Sequence, residues 1–375
     1  MRFLIVGAVH HPEELFSAQQ DGTSGDAPCL FPPSQSEFLW VRALRKLGHS
    51  VDAFIRNVPA LFGWRARQHQ TFTGTRRLST LLTAAAYRFP YLQPDYHVRN
   101  RRLLEAVRHV EPDALLITGD NREIYPDTLA QIKTRFGCKV VYMTGVSPIV
   151  FSSALERQAA PLYDLVLVND YYHGIQWLEL GAARMEALPL SACDPDYHHP
   201  YSLSEQEQRD FRCDVGFVGT LLPISLYSAR VKALEAITDS DLAIWSVHGI
   251  PPTLQSFYRG PALGARMLRI LCGSKIQINP HGNFMRYGGN LRLFEASACG
   301  VFQITDDLPG VSRWFTPGET IAVYRDRGHL RDQVNYYLGH DDERQQIARS
   351  ARDHVYAYHT YVHRMKTLTE LVSSL

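Results

Sequence analysis

The sequence lacks several features that would assign it to a class at once. Its 375 residues contain no apolar run that approaches the length of about 18 residues needed to cross a bilayer. No repeat with a period of about 20–50 residues occurs, nor any low-complexity tract. Lysine and arginine number 39 against 38 aspartate and glutamate residues, and this balance does not favour nucleic acid as a partner. No G-x-G-x-x-G follows a strand and no Walker A motif is present, which argues against NAD enzymes and P-loop NTPases.

Cysteine is scarce and scattered. The six cysteines form no C-x-x-C pair, so neither a zinc site nor a disulfide framework is predicted. Reduced, mostly buried thiols are typical of a cytoplasmic protein. The apolar run Phe3–Val9 is followed by His-His-Pro-Glu-Glu instead of a small-residue cleavage site, which indicates a first strand and not a signal peptide. We therefore expect a cytoplasmic location.

Short apolar runs alternate with stretches that fit helices. In the first half, strands are predicted at Arg2–Gly7, Ser50–Ile55, Ala114–Gly119, Lys139–Thr144, Asp164–Asn169 and Met185–Leu190. After a polar pause, a second set is predicted at Cys213–Gly219, Leu242–Val247, Lys275–Asn279, Val301–Thr305 and Thr320–Tyr324. Runs that are apolar almost throughout are typical of parallel strands covered on both faces. The pattern predicts an α/β fold with two doubly wound, Rossmann-like domains that face a cleft.

The predicted division is an N-terminal domain over residues 1–200, a second domain over 201–355, and a helix over 356–375 that crosses back to the first domain. Residues 9–33 interrupt the alternation with a Gly- and Pro-rich loop, which is expected to hang over the cleft as a lid or as a tolerated insertion. Residues 64–108 contain nine arginines against two acidic residues, with aromatic residues between them. This composition fits a peripheral contact with anionic lipid at the inner face of the membrane, an acidic acceptor, or a solvated basic face.

The segment from Ser274 to Gly300 carries the strongest chemical signal. A predicted strand ends in it, a loop with Gly288 and Gly289 follows, and Asn290 is a favourable N-cap for the next helix. Glycines before a helix allow a ligand to approach the backbone closely. The free N–H groups and the positive end of the helix dipole at that point favour a phosphate. A tight turn is the alternative interpretation.

Charged side chains accompany this helix start. Arg286 and Arg292 flank it and can add charge-assisted contacts to a phosphate. Glu295 lies about one turn further along, where a carboxylate can accept hydrogen bonds from sugar hydroxyls. The alternative for Glu295 is an ordinary surface residue.

Four residues are candidates for catalysis. His10 and His11 follow the first predicted strand at the edge of the cleft, where an imidazole could take the proton of an acceptor hydroxyl. Asp120 follows the third strand and is either a comparable base or the cap of the next turn. His281 lies on the loop before the glycines and is expected to contact phosphate or the transferred sugar. No metal site is predicted, because Asp194-Pro-Asp196 lies in the predicted hinge, where a turn is expected.

The motifs from residue 213 onwards resemble the C-terminal half of GT-B glycosyltransferases, and are most similar to the CgeB-like (spore maturation) group. The matching residues are Asn290, Arg292, Phe294, Glu295, Ala298, Cys299, Gly300, Thr305, Asp306, Phe315, Pro317, Gly318, His359, Thr360, Tyr361 and Arg364. The strand to Gly219 with Thr220 resembles the opening of the family's second domain. The resemblance is strong over 213–364, and over 1–193 it consists mostly of strand order. Where related families carry the first glutamate of an E-x7-E motif, this chain has Tyr287.

The resemblance implies an enzyme that moves a sugar from a nucleotide diphosphate sugar, such as a UDP-sugar, to an acceptor hydroxyl. It implies retention of configuration, no metal and no resident cofactor. The donor would bind the second domain, and the acceptor, a saccharide, lipid or small molecule, would bind the first. By resemblance, Glu295 would hold the ribose of the donor. The diphosphate would face Gly288, Gly289, Asn290 and Leu291. Gly219 and Thr220 would lie beside the phosphates, and His248 and Gly249 would lie near the base. A nucleotide-sugar epimerase on the same fold and an inactive sugar-nucleotide-binding module are the alternatives.

Overall fold

The predicted alternation of strands and helices forms two parallel six-stranded sheets. A computed structural model describes residues 1–8, 36–56, 89–145 and 147–375. The first sheet consists of β1 (Arg2–Gly7), β2 (Ser50–Ile55), β3 (Ala114–Thr118), β4 (Lys139–Thr144), β5 (Leu165–Val168) and β6 (Met185–Glu186). Its strand order is β2-β1-β3-β4-β5-β6. The order reverses between β1 and β3, which is where ligands bind in sheets of this type.

The second sheet repeats this plan. It consists of β7 (Cys213–Val218), β8 (Leu242–Trp245), β9 (Tyr258–Gly260), β10 (Ser274–Ile278), β11 (Phe302–Asp306) and β12 (Ala322–Tyr324). The order is β12-β11-β10-β7-β8-β9, and each pair is parallel. The edge strand β9 was not predicted, since it has only three residues and its pairing with β8 shifts register. The sixth predicted strand is shorter than expected, because only two of its residues pair with β5.

Helices cover both sheets. Those of the first half are α1 (Ser36–Lys46), α2 (Pro94–Val110), α3 (Pro126–Phe136), α4 (Ala154–Ala159) and α5 (Tyr171–Glu179). Those of the second half are α6 (Glu205–Phe211), α7 (Ile224–Glu235), α8 (Gly264–Cys272), α9 (Leu291–Ala298), α10 (Val311–Trp314), α11 (Arg327–Gly339), α12 (Asp341–Tyr358) and α13 (Tyr361–Ser373). Short 3-10 segments lie at Pro90–Leu92, Ala160–Leu162 and Pro252–Phe257. The predicted start and end of α9 are confirmed, since the Asn290 side chain accepts a hydrogen bond from the Leu293 amide and Gly300 has a φ of +70°.

The core is built as the apolar runs predicted. All residues of β3 and β5 are buried, because helices cover both faces of the sheet. Helix α13 returns to the first half, where Met365 and Leu368 share a core with Phe3 of β1 and Leu39 of α1. The last helix, α13, therefore packs back onto the first sheet, as expected. The exact domain boundaries at 200 and 355 stay a prediction.

Some predictions fall on residues that the structure does not describe. His10, His11, the 9–33 loop and residues 64–88 of the basic segment lie outside the described residues. In the described part of that basic segment, Arg99 of α2 is buried and paired with Asp95. Of the helices that are described, none has both the length and the apolar character of a membrane span.

Candidate functional site

The loop that connects β10 to α9 lies between the two halves of the molecule. Its residues 284–290, named here the 284–290 loop, contain Gly288 and Gly289 with φ angles of +107° and +105°. A side chain at Gly289 would approach the carbonyl oxygen of Asn169 to 3.1 Å, so the backbone of the first half passes directly beside this loop. Glycine is needed here both for the left-handed conformation and for the close contact.

A carboxylate from the first half binds three consecutive amides of the 284–290 loop. Asp170, which follows β5 and is fully buried, accepts hydrogen bonds at Oδ2 from the backbone N–H groups of Arg286 at 2.8 Å, Tyr287 at 2.7 Å and Gly288 at 3.3 Å. Successive amides that converge in this way form an anion-binding concavity. The first part of the loop, which we expected to face a phosphate with Arg286 and Gly288, is therefore occupied by a protein carboxylate.

The next amides of the chain are used differently. The Gly289 N–H donates to His281 Nε2 at 3.3 Å, and the Leu293 N–H donates to the capping Asn290 side chain at 3.2 Å. Between them, the N–H groups of residues 290–292 have no hydrogen-bond partner among the described residues. They open an eight-residue helix at its positive end. These three consecutive donors, on Asn290, Leu291 and Arg292, are available to an anion.

His281 holds the loop instead of facing open space. Its ring is buried, and Nδ1 lies 2.6 Å from Oδ1 of Asp306 at the end of β11. Since Nε2 accepts from Gly289, the proton is assigned to Nδ1, which donates to the carboxylate. Burial raises the pKa of Asp306, but the charge and hydrogen bond of His281 oppose it and the net pKa lies below its ordinary value. The expected contact of His281 with phosphate or sugar stays a prediction.

Glu295 is buried and not a surface residue. Its Oε2 lies 2.5 Å from Nη1 of Arg292, one turn earlier on α9, and its Oε1 lies 3.8 Å from Nε2 of the buried His198. Burial raises the pKa of Glu295, and Arg292 and His198 lower it by more, so the net shift is downward. The Arg292 guanidinium that we expected at the phosphate thus holds the Glu295 carboxylate in its ionised form.

Arg230 brings a second guanidinium to the strand ends. Its Nε donates to the carbonyl of Pro280 at 2.8 Å, after β10, and its Nη1 donates to the carbonyl of Thr220 at 3.0 Å, after β7. The predicted residues Gly219 and Thr220 are half-buried at this point. On the neighbouring strand β8, the two residues shortly after its end, His248 and Gly249, are exposed. Arg286 is exposed as well. Arg230 therefore supplies positive charge at the ends of β7 and β10, and the roles of Arg286 and Arg292 at a phosphate stay predictions.

Asp120 lies at the end of β3 in the first sheet, with a φ of +63°. Its Oδ1 lies 2.7 Å from Nε of Arg122, and both side chains are about half exposed, at 47% and 46%. The next turn is capped by Asn121, whose Oδ1 accepts from the amide of Ile124 at 2.9 Å. The Asp120 carboxylate is thus half exposed and paired with Arg122, and its role as a base stays a prediction.

The hinge contains a turn, as predicted for Asp194-Pro-Asp196. The Asp194 carboxylate accepts from the Asp196 amide at 3.0 Å and pairs with Arg42 of α1 at 3.1 Å. In the described ranges, no group of three or more His, Cys, Asp or Glu side chains is arranged to hold a metal ion.

The last matching motif joins the hinge to α9. Arg364 of α13 lies over the ring of Phe294 at 5.3 Å and donates to the carbonyl of Ser191 at 3.4 Å. It also lies 3.0 Å from Nδ1 of His359. Burial, followed by the nearby Arg364 charge, lowers the pKa of His359 to about 3. The motif that resembled a family signature thus packs against α9 and connects it to the hinge.

Three members of the site were not predicted from the sequence: Asp170, His173 and His198. For Asp170 a local signal existed, because an Asp after a buried strand is a common N-cap, and it does cap α5 through the Tyr172 amide at 3.0 Å. Nothing local indicates that the same carboxylate binds a loop 116 residues away. His173 and His198 carried no signal of their own.

Comparisons with known proteins give one family match and several matches to solved structures. No curated protein sequence matches the chain. Residues 229–370, which include the 284–290 loop and α9, match the family described as Glycosyl transferase-like.

Solved structures match the whole chain at low identity. Sucrose-phosphate synthase (tll1590) from Thermosynechococcus elongatus is 13% identical with a TM-score of 0.63, and 100% of this chain and 99% of that one are covered. Anabaena Alr3699/HepE in complex with UDP-glucose is 14% identical with a TM-score of 0.62, and both chains are covered completely, at 100%. A glycosyltransferase from Rickettsia africae ESF-5 is 12% identical with a TM-score of 0.58, with 100% and 97% covered.

The two sheets and these likenesses define the GT-B fold, as the sequence analysis expected. On that fold, the family match over residues 229–370 supports a transferase of the glycosyltransferase type. The narrower resemblance to the CgeB-like group is not confirmed.

Proposed function

We propose that the chain transfers a sugar from a nucleoside diphosphate sugar to an acceptor hydroxyl. The observation that carries this proposal is the run of three unpartnered amides on residues 290–292, counted over the described residues, at the positive end of α9. Helix starts of this kind bind phosphate through the N–H groups and the dipole together. We place the diphosphate of the donor at these three amides.

The same arrangement can offset the charge that develops on the leaving diphosphate. Preorganised N–H groups act without reorganisation at the moment of reaction. Arg230, held by the carbonyls of Thr220 and Pro280, adds a fixed guanidinium near the strand ends. We therefore assign the stabilisation to the protein, with no metal and no resident cofactor. Activity that survives dialysis against EDTA is the expected result.

Glu295 is assigned to the ribose. It lies one turn beyond the free amides, and Arg292 keeps its carboxylate ionised, so that it acts only as an acceptor. The Anabaena relative was crystallised with UDP-glucose, which makes UDP-sugars the first donors to test. His248 and Gly249 are assigned to the base, since they follow β8 beside β7.

The first half is assigned to the acceptor, a saccharide, lipid or small molecule. Asp120 is the candidate base among the described residues, and His10 and His11 remain candidates outside them. We propose retention of configuration, which proton NMR of the first-formed product checks through its anomeric coupling. Peripheral membrane contact through residues 64–108 also stays a proposal, and sedimentation with anionic vesicles tests it.

Leu291 offers a sharp test of the donor site. It is the first residue of α9, where proline is tolerated, and the preceding Asn290 has a φ of −70° and a ψ of 160°, which proline also accepts. Leu291→Pro therefore removes one of the three amide donors while it leaves the helix intact. We expect UDP affinity to fall by about tenfold, the worth of one hydrogen bond to a charged group. The matched control Leu291→Ala, which keeps the N–H, should bind UDP like the unaltered protein.

Incubation with UDP-, GDP- and dTDP-sugars separates the alternatives. Release of free nucleoside diphosphate with a glycosylated acceptor supports transfer. An altered sugar on an intact nucleotide would indicate an epimerase, and binding without turnover an inactive module. Equal binding by Leu291→Pro and Leu291→Ala would refute the diphosphate site.

A further inference from the structure

Asp170 connects the two halves of the molecule at the proposed donor site. It is 0% exposed and uses both carboxylate oxygens. Oδ1 accepts from the Tyr172 amide and caps α5, while Oδ2 accepts from the amides of residues 286–288. A buried carboxylate is costly unless hydrogen bonds satisfy it, and these four N–H groups do so. The side chain is therefore held rigidly against the 284–290 loop.

A second residue of the same helix turn reinforces the contact. His173 of α5 lies with Nε2 2.9 Å from the carbonyl oxygen of Phe284, so the imidazole donates to the start of the loop. It is buried, and its Nδ1 has no partner within the described part of the chain. The first turn of α5 thus binds the loop at residue 284 and again over residues 286–288.

This contact decides which amides of the loop are available to a ligand. From residue 286 to 288 the N–H groups point to Asp170, and that of Gly289 points to His281. Only from Asn290 does a run of unpartnered donors begin, as counted over the described residues. Without the carboxylate, residues 286–288 would expose three further donors and the loop would lose its main restraint from the first half. A phosphate would then meet a disordered set of donors instead of a preorganised one.

We propose that Asp170 is a positioning residue of the donor site, which sets the 284–290 loop so that the amides of Asn290, Leu291 and Arg292 face the diphosphate. It acts through the loop and does not touch the donor. Because Asp170 belongs to the first half, the donor site is complete only when the two halves are in contact. This inference rests on the proposed function.

Binding of UDP and of uridine by the full chain, measured by calorimetry, tests the inference. In Asp170→Asn the carboxylate charge is lost while the shape is kept. UDP affinity should fall by about tenfold or more, because several charge-assisted bonds that order the loop are weakened. Uridine affinity should change by less than about twofold, since uridine carries no phosphate. The control Asp326→Asn alters an exposed N-cap on α11, whose side chain accepts from His329 at 2.9 Å, and should leave both affinities unchanged.

A second variant guards against misfolding of the first. His173→Phe removes only the bond to the Phe284 carbonyl, and we expect a UDP-specific loss of about threefold, the worth of one weak hydrogen bond. Unchanged or tighter UDP binding by Asp170→Asn would overturn the inference, and tighter binding would mean that the carboxylate competes with the donor. An equal loss of UDP and uridine would also overturn it, because that pattern indicates general damage. If the unaltered chain binds no nucleoside diphosphate at all, the proposed function fails and takes this inference with it.

Discussion

Replacement of Arg292 by methionine should destabilise the second half of the molecule, because it leaves the buried Glu295 carboxylate without its nearest cation. The two side chains are 17% and 2% exposed, and their closest atoms lie 2.5 Å apart. Removal of one partner from a buried ion pair costs about 3–5 kcal/mol. Since the guanidinium keeps some exposure and His198 remains 3.8 Å from the carboxylate, we expect the lower end, a loss of about 3 kcal/mol in the free energy of unfolding.

An exposed pair in the same sheet provides the control. Lys275 of β10 and Asp214 of β7 lie 2.7 Å apart, but their side chains are 50% and 36% exposed. Ion pairs of this kind are worth about 0.2–1 kcal/mol because solvent screens them. Lys275→Met should therefore cost much less than Arg292→Met, although the distances in the two pairs are similar.

The pH dependence of Arg292→Met has a definite sign. In the unaltered chain the pKa of Glu295 lies below its ordinary value of 4.5, so its contribution to stability is present above that value and is lost as the pH falls through the lower folded pKa. Without Arg292, burial is opposed less and the pKa should rise. The deficit should then be largest near pH 7 and should shrink in acid, where the carboxylate is protonated.

Urea unfolding at pH 7 and pH 4, followed by tryptophan fluorescence, measures both effects. The double variant Arg292→Met/Glu295→Gln should recover most of the loss, because it removes the stranded charge. If Arg292→Met costs no more than Lys275→Met at pH 7, or if its deficit grows in acid, the reasoning is wrong.

Three further changes have distinct outcomes. In a urea titration, Gly289→Ala should lower the free energy of unfolding by about 1–3 kcal/mol, because a left-handed φ of +105° is combined with a 3.1 Å contact to the Asn169 carbonyl. The control Gly318→Ala, at a φ of +83° with open space around it, should cost less. Asp306→Asn should reduce acid sensitivity, because the lowered pKa of Asp306 contributes stability that is lost as the pH falls below its ordinary 3.8. The thermal midpoint of the variant should therefore fall less between pH 5 and pH 3 than that of the unaltered chain. An equal fall would contradict the pairing with His281. His359→Gln should flatten the dependence of stability on pH between about pH 6 and pH 4. A histidine with a pKa of about 3 resists protonation in the folded state, which costs about 1.4 kcal/mol of stability per pH unit below its ordinary pKa. A pH dependence as steep as that of the unaltered chain would contradict this.

The sequence patterns predicted the sheets closely. The long buried strands appeared where apolar runs were found, since a strand covered on both faces needs an apolar side chain at each position. The short edge strand Tyr258–Gly260 was missed, because three residues at a solvent edge carry no such pattern. The start of α9 was also predicted, since an N-cap is a contact between residues three apart in the chain.

The candidate site was predicted less completely. The glycines, Asn290 and Glu295 were found at the expected place on the helix start. Their partners were not: the guanidinium of Arg292 pairs with Glu295, and its expected contact with a phosphate stays a prediction. The bonds of His281 to Gly289 and Asp306 were not predicted either, and its expected contact with a ligand stays a prediction. Side-chain partners depend on which rotamers and strand ends meet in space, which spacing along the chain does not reveal.

By itself, the sequence determined the order of strands and helices and the point at which a helix begins with free amides. These features follow from periodicity and from capping, which act over a few residues. Only the tertiary structure decided which of those amides remain free, because Asp170 comes from the other sheet, 116 residues before the loop that it binds. A carboxylate and an amide 116 residues apart in sequence meet only after both sheets have formed and packed, and that packing is a property of the whole chain.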